Sequence, residues 1–197
     1  MAGTPRIPKA ALTGFRGRLA KRITQKMFGA VPEPLEVMWH QPAVVLDTST
    51  LGRKAAKWRR ADANLKSFAH MAVASLVGCT WCLDYGYFHA HNGGLDEVKA
   101  REVPRWRESD VFTPLERQVL EYAEAMSQTP PAVTDELSAA LLAALGPAAL
   151  VELTNWIGFA NMATRTNAAL GIEAQGFAAA CELRPLARPS RPVASEV

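Results

Sequence analysis

Cysteine is scarce in this chain, three residues in 197. That count excludes a disulfide framework and makes a reducing, cytoplasmic compartment the expectation. Cys79 and Cys82 form one Cys-x-x-Cys and no second pair exists, so a zinc site there would need two further ligands from elsewhere. No metal is therefore expected. No G-x-G-x-x-G fingerprint is present, so no flavin or nicotinamide cofactor is expected and an electron donor must be external. No run approaches the length of a membrane span, and the opening residues lack the apolar core of a secretory signal; no transmembrane segment is expected. No stretch alternates at period two for more than a few residues, which leaves an all-α chain. Acids are missing altogether before Glu33.

Where acids are absent, bases accumulate: Arg6, Lys9, Arg16, Arg18, Lys21, Arg22 and Lys26, followed by Arg53, Lys54, Lys57, Arg59 and Arg60, so the remainder is net acidic. Over 11–28 the apolar residues Leu12, Phe15, Leu19, Ile23 and Met27 recur at helical spacing among those bases. Such a helix either lies on an acidic surface, lipid or nucleic acid, or packs on the core or a neighbouring subunit with a solvated basic face. The organisation expected is a basic arm and helix over 1–30, a helical domain over 31–182 and a disordered, Pro- and Arg-rich tail over 183–197.

Within the domain, Val31-Pro-Glu-Pro34 breaks the chain, 36–50 has no clear pattern and 51–60 reads as a basic helix. Asp62 or Asn64 caps a helix to Val77 whose wide apolar stripe marks it as central. Asp96 caps a short helix, and 104–112 reads as a charged loop around Trp106. Thr113-Pro-Leu-Glu116 has the residues of a capping box with Pro at the first helical position. Thr134 caps the next helix, Gly146-Pro147 ends it, and a last helix over 148–170 stops at Gly171.

The chemistry concentrates between Ser75 and Leu95. After Gly78 a second helix carries Cys79 and Cys82 in its first turn, one turn apart. Unpaired N–H groups and the positive end of the helix dipole favour a thiolate there. Two thiols so spaced can form a disulfide, one attacking a peroxide or disulfide and the other resolving the product. Trp81, Tyr85 and Tyr87 either line an apolar pocket or pack in the core. Asn155 and Asn161 can hydrogen-bond across a helix interface, Cys181 reads as structural and His91 as a surface residue.

The run Phe68-Ala-His-Met-Ala-Val-Ala-Ser-Leu-Val-Gly-Cys-Thr-Trp-Cys-Leu-Asp-Tyr-Gly-Tyr-Phe-His-Ala-His-Asn-Gly-Gly-Leu-Asp-Glu-Val98 resembles the signature of the carboxymuconolactone decarboxylase/AhpD-like superfamily. The stretch from Glu152 to Ile172 is similar to the family's closing helix. The resemblance implies an AhpD-like multi-helix bundle that assembles as a homo-oligomer. It also implies peroxidase or disulfide-reductase chemistry with Cys82 attacking and Cys79 resolving, a peroxide substrate and an external dithiol or dithiol-protein donor. The family pattern places a glutamate twelve residues before the first cysteine and a histidine four after the second; here these positions are Ser67 and Gly86. Peroxide reduction needs a base for the thiol and an acid for the leaving oxygen. Asp84, His70 and His89 are the candidates to replace that relay: Asp84 is two residues past Cys82, His70 one turn from Ser67, and His89 two turns past Cys82. The alternatives are a decarboxylase-type enzyme without redox turnover, and a non-catalytic scaffold whose cysteines sense oxidants.

Overall fold

A computed structural model describes residues 5–188. Among them all regular secondary structure is helical. In chain order the helices are α1 (Gly14–Phe28), α2 (Glu33–Met38), α3 (Pro42–Ala55), α4 (Ala63–Val77), α5 (Thr80–Asn92), α6 (Glu97–Glu102), α7 (Pro114–Ser127), α8 (Asp135–Ala169) and α9 (Phe177–Ala180).

α4 is the centre, as its wide apolar stripe predicts. Nine of its residues are buried, and α5, α7 and α8 pack around it. Asp62 is its cap, accepting from the N–H groups of Asn64 (2.8 Å) and Leu65 (3.3 Å). Asn64 instead accepts from the N–H of Asp96 at 2.8 Å and so ties α4 to the start of α6. The core joins Phe68, Met71 and Val73 of α4 to Val119 and Leu120 of α7 and to Leu153 and Ile157 of α8.

The capping box of α7 forms as predicted. Thr113 Oγ accepts from the Glu116 N–H and the Glu116 carboxylate from the Thr113 N–H. α8 bends where the sequence ends one helix and starts another: Gly146 leaves helical geometry (φ 75°, ψ 165°) ahead of Pro147. By length and composition α8 is long and apolar enough to cross a membrane.

Three regions differ from the sequence expectation. Residues 36–50 resolve into α2 and α3, each with a proline in its first turn, and the basic helix expected over 51–60 is the end of α3, which stops at Ala55. Residues 103–108 form a 3₁₀ turn rather than a loop, because Trp106 is buried and donates from Nε1 to Glu124 (2.8 Å). Residues 183–188 lie on the body: Leu183 and Leu186 pack against the core and the Ala187 N–H donates to the Arg101 carbonyl at 3.1 Å. The rest of the tail expected from 183, like residues 1–4 of the arm, lies outside the described residues.

One ion pair fastens the central helices. Lys66 Nζ lies 3.0 Å from Glu152 Oε1, both side chains almost fully buried. The ammonium also donates to the Trp58 carbonyl (2.7 Å) and lies over the Trp156 ring, while Glu152 Oε2 accepts from the Arg60 N–H (2.8 Å). Burial alone would raise the Glu152 carboxyl; the N–H of Arg60, the Lys66 ammonium and the N–H of Ala61 outweigh it and hold the pKa below its usual value. Breaking such a pair strands a buried charge. Lys66→Met should cost about 3–5 kcal/mol in urea unfolding, and the double variant Lys66→Met/Glu152→Leu much less.

Candidate functional site

The joint between α4 and α5 sets the site. Gly78 closes α4 in the left-handed region (φ 78°), a conformation side chains rarely adopt, so the chain reverses within two residues. Cys79 is then the N-cap of α5. Its N–H donates to the Ala74 carbonyl (2.9 Å) and its Sγ accepts from the Cys82 N–H (3.2 Å). Cys79 and Cys82 are joined as a disulfide, with Cα atoms 5.3 Å apart, and both are buried (1% and 2% exposed). Cys82 Sγ also accepts from Asn167 Nδ2 of α8 at 3.4 Å.

Of the two cysteines, Cys82 is the one on the wall of a cavity of about 390 Å³ between α3, α4, α5 and α8. Ser67, His70 and His89 line the same cavity, so the fold gathers four of the six candidate site residues around one space. Trp81, Tyr85 and His89 form a ladder along α5 at i, i+4 spacing, with rings 5.0 Å and 6.0 Å apart and nearly parallel. Tyr87 is turned about half a circle away from Tyr85 and is buried in the core instead. Trp156 and Phe159 supply the opposing aromatic wall from α8.

His70 is unusual. Its Nε2 is buried and has no hydrogen-bond partner, alone among the side-chain polar atoms of the described residues. The ring meets Trp156 edge-on at 6.1 Å. Burial first, then the field of His89, push the His70 pKa from 6.5 down to about 4. His89 is lowered as well by the part of its ring that is desolvated, although the residue as a whole is exposed. Both imidazoles are therefore neutral at pH 7.

Asp84 faces the other way. Its carboxylate accepts from the N–H groups of Gly176 (2.7 Å), Phe177 (2.9 Å) and Ala178 (2.9 Å), holding the segment after α8 against α5. Thr80 Oγ1, accepting from the Ala174 N–H, and Trp81 Nε1, donating to Gln175, secure the same segment. Asp84 thus braces the helix that carries the cysteines and lies off the cavity wall. Gly86, at the position of the family's histidine, is a close approach: a Cβ there would stand 2.9 Å from Met71 Cγ of α4.

Asn167, Trp156 and Phe159 are site residues that the sequence reading missed. Asn167 was legible as a polar residue on the inner face of α8, in register with Ile157, Ala160 and Thr164. Of the two asparagines singled out, Asn161 bonds across to Ser127 Oγ of α7 (2.8 Å), whereas Asn155 bonds only within its own helix. His91 is exposed and pairs with Glu97, and Cys181 is a free, half-buried thiol. Among the described residues no three His, Cys, Asp or Glu side chains converge as a metal site.

An all-helical bundle with a cysteine pair at the start of its second core helix is an AhpD-like arrangement. The core of an alkylhydroperoxidase AhpD-type, peroxidase-related protein from Ralstonia eutropha JMP134 superposes with a TM-score of 0.78, covering 90% of this chain and 96% of that one at 15% identity. The debrominase Bmp8 superposes with a TM-score of 0.71 over 83% of this chain and 88% of its own, at 21% identity, and a variant of it is solved with 2,3,4-tribromopyrrole. In sequence, the uncharacterized protein YnjA of Escherichia coli (strain K12) is 34% identical over 156 residues, 78% of this chain and 85% of that protein. Residues 45–125 match the model of the carboxymuconolactone decarboxylase family. The chain belongs to that family.

Two outcomes test the site. Because the folded His70 pKa lies below its unfolded value, the unfolded chain binds the extra proton between pH 6.5 and 4. Stability from this group is complete above pH 6.5 and falls by up to about 3 kcal/mol as the pH drops toward 4. Denaturant unfolding at stepped pH should show that slope in the native protein and a flatter one in His70→Phe. Asp84→Ala should cost about 1–3 kcal/mol in thermal unfolding, because three N–H groups lose their acceptor.

Proposed function

We propose that the protein is a thiol-dependent oxidoreductase that reduces hydroperoxides, with Cys82 attacking and Cys79 resolving. One observation carries the reading: the cysteine pair opens α5 with Cys82 on the wall of an apolar cavity that also holds neutral imidazoles. The cavity suits an organic hydroperoxide better than a charged substrate, since aromatic rings make up much of its wall.

The reduced pair begins the cycle. The Cys82 thiol proton is relayed through His70 Nε2, the one buried side-chain nitrogen without a partner among the described residues. An imidazole titrating near 4 does not keep it, so the transfer is completed only as the peroxide bond breaks. The thiolate attacks the terminal peroxide oxygen, the O–O bond breaks, and Cys82 becomes a sulfenic acid. The leaving alkoxide is a far stronger base than an imidazole titrating near 4, so the proton moves on to it and the alcohol departs. The Cys79 sulfur then attacks the Cys82 sulfur. The S–S bond forms, and hydroxide leaves with the Cys79 proton as water. An external dithiol returns two electrons and two protons. Cys79 suits the resolving role because it sits behind Cys82 as the N-cap, already held by the Cys82 N–H. Asn167, donating to Cys82 Sγ, stabilises negative charge on that sulfur.

A second reading keeps the dithiol and changes the acceptor. The facing rings of Trp81, Tyr85 and Trp156 would also hold a flat halogenated ring, and a debrominase shares the fold. The pair would deliver two electrons and a proton to carbon, halide would leave, and the disulfide would form as before.

Stopped-flow reaction of the reduced protein with cumene hydroperoxide separates these readings. The peroxidase reading expects rapid loss of peroxide with a Cys79–Cys82 disulfide as product; a rate no faster than free cysteine would sink it. Cys82→Ser should abolish the reaction, Cys79→Ser should leave a sulfenic acid at Cys82 that dimedone traps, and His70→Gln should slow peroxide loss about 10²-fold.

A further inference from the structure

α1 is joined to the body by few contacts. The preceding arm is held by Arg6, which donates to the carbonyls at the end of α8, and by Lys9, which pairs with Glu33 and Glu36. Phe28, in the last turn, packs on Tyr85, Phe88 and Phe177. Between these anchors, Gly17 is the one buried residue of the helix, and Ala20, Thr24 and Phe28 share its inner side half-buried. The apolar stripe points elsewhere. Phe15 is 77% exposed, Leu19 45%, Ile23 47% and Met27 63%. The sequence allowed this stripe to pack on the chain's own core, and it does not.

The charges around the stripe share one sign. α1 carries Arg16, Arg18, Lys21, Arg22 and Lys26 and no acid. Among the described residues none of the five forms an ion pair, whereas Lys9 just before them does. At about 100° per residue, Lys26 falls within the stripe, Arg16 near its far edge, and Arg22 and Arg18 beside it. Bases interleaved with exposed Phe, Leu, Ile and Met make a surface that is apolar and cationic at once. An aqueous protein surface seldom leaves such a combination bare.

We propose that α1 is a membrane-surface helix that docks the protein on an anionic lipid bilayer. Its stripe would sink among the acyl chains near the headgroups, with Arg22 and Lys26 reaching up to the phosphates on their aliphatic stems. Charge and apolarity together favour this occupant over a two-fold α1–α1 contact or a nucleic acid. A two-fold contact between copies through α1 would bring two acid-free helices together and leave their bases facing one another. A nucleic acid would take the bases but offers no partner for four exposed apolar side chains on one stripe. An anionic bilayer takes both. The proposal does not depend on the reaction assigned to the cysteines.

The test is flotation of the full-length protein with vesicles of phosphatidylcholine, alone or mixed with phosphatidylglycerol. The protein should float with the mixed vesicles and not with the neutral ones. Raising salt from about 0.1 to about 0.5 M should cut the bound fraction several-fold. Phe15→Ser/Ile23→Ser, which keeps every charge, and Arg22→Glu/Lys26→Glu, which keeps every apolar residue, should each lower binding about tenfold or more. Both variants should keep the wild-type circular dichroism and sedimentation mass. Failure of the wild type to float, or flotation indifferent to either variant, overturns the proposal. A changed sedimentation mass or a lost fold in the apolar variant would show that the stripe is covered by protein and overturns it equally. Tighter binding to duplex DNA than to the mixed vesicles would assign the helix to nucleic acid instead.

Discussion

The burial of α4 on nearly every side is the constraint from which the rest follows. A helix with Phe68, Ala69, Met71, Ala72, Val73 and Ala74 all fully buried cannot slide or rotate without opening voids against its neighbours. Its end at Gly78 therefore fixes where α5 starts, and the start of α5 is where the cysteines are. Met71 and Gly86 show how tight the fit is, since a Cβ at 86 would stand 2.9 Å from Met71 Cγ and Met71 would have to move to admit a side chain there. The one strongly polar feature within this packing, Lys66 with Glu152, is completed by backbone partners on both ions, so it is tolerated rather than disruptive.

The site is built around a largely apolar wall. Rings make up much of the cavity wall beside Cys82, and the burial of His70 within it keeps that imidazole neutral. A chain with serine and glycine at the family's glutamate and histidine positions thus still places two imidazoles along the cavity. The imidazole of His70 comes from α4, three residues beyond Ser67, and that of His89 from α5, three residues beyond Gly86, each about one turn on.

The segment after α8 has a structural part that its composition hides. Residues 173–178 supply N–H groups to Asp84 and Thr80 and a side chain to Trp81, closing the outer side of α5. Asp84 lies close in sequence to Cys82 yet projects to the opposite side of the helix. Closeness along a helix and closeness to its chemistry are different things when two residues separate the groups, because the intervening turn is about 200°.

The sequence by itself determined the all-helical architecture, the caps at Asp96, Thr113 and Thr134, a cap at Asp62 or Asn64, the break at Gly146 and the placing of two thiols at a helix start. These are local properties, fixed by spacing and by backbone groups within a few residues. It also gave the pool of candidates from which the site is drawn. Which of them meet was decided only by tertiary structure: His70 and His89 come from different helices, Asn167 from a third about 85 residues beyond Cys82, and Asp84 turns to a segment over 90 residues away. Whether the stripe of α1 was inward or outward was likewise beyond its periodicity. A pattern at helical spacing specifies that a face exists; only the packing of the other helices decides whether anything is there to cover it.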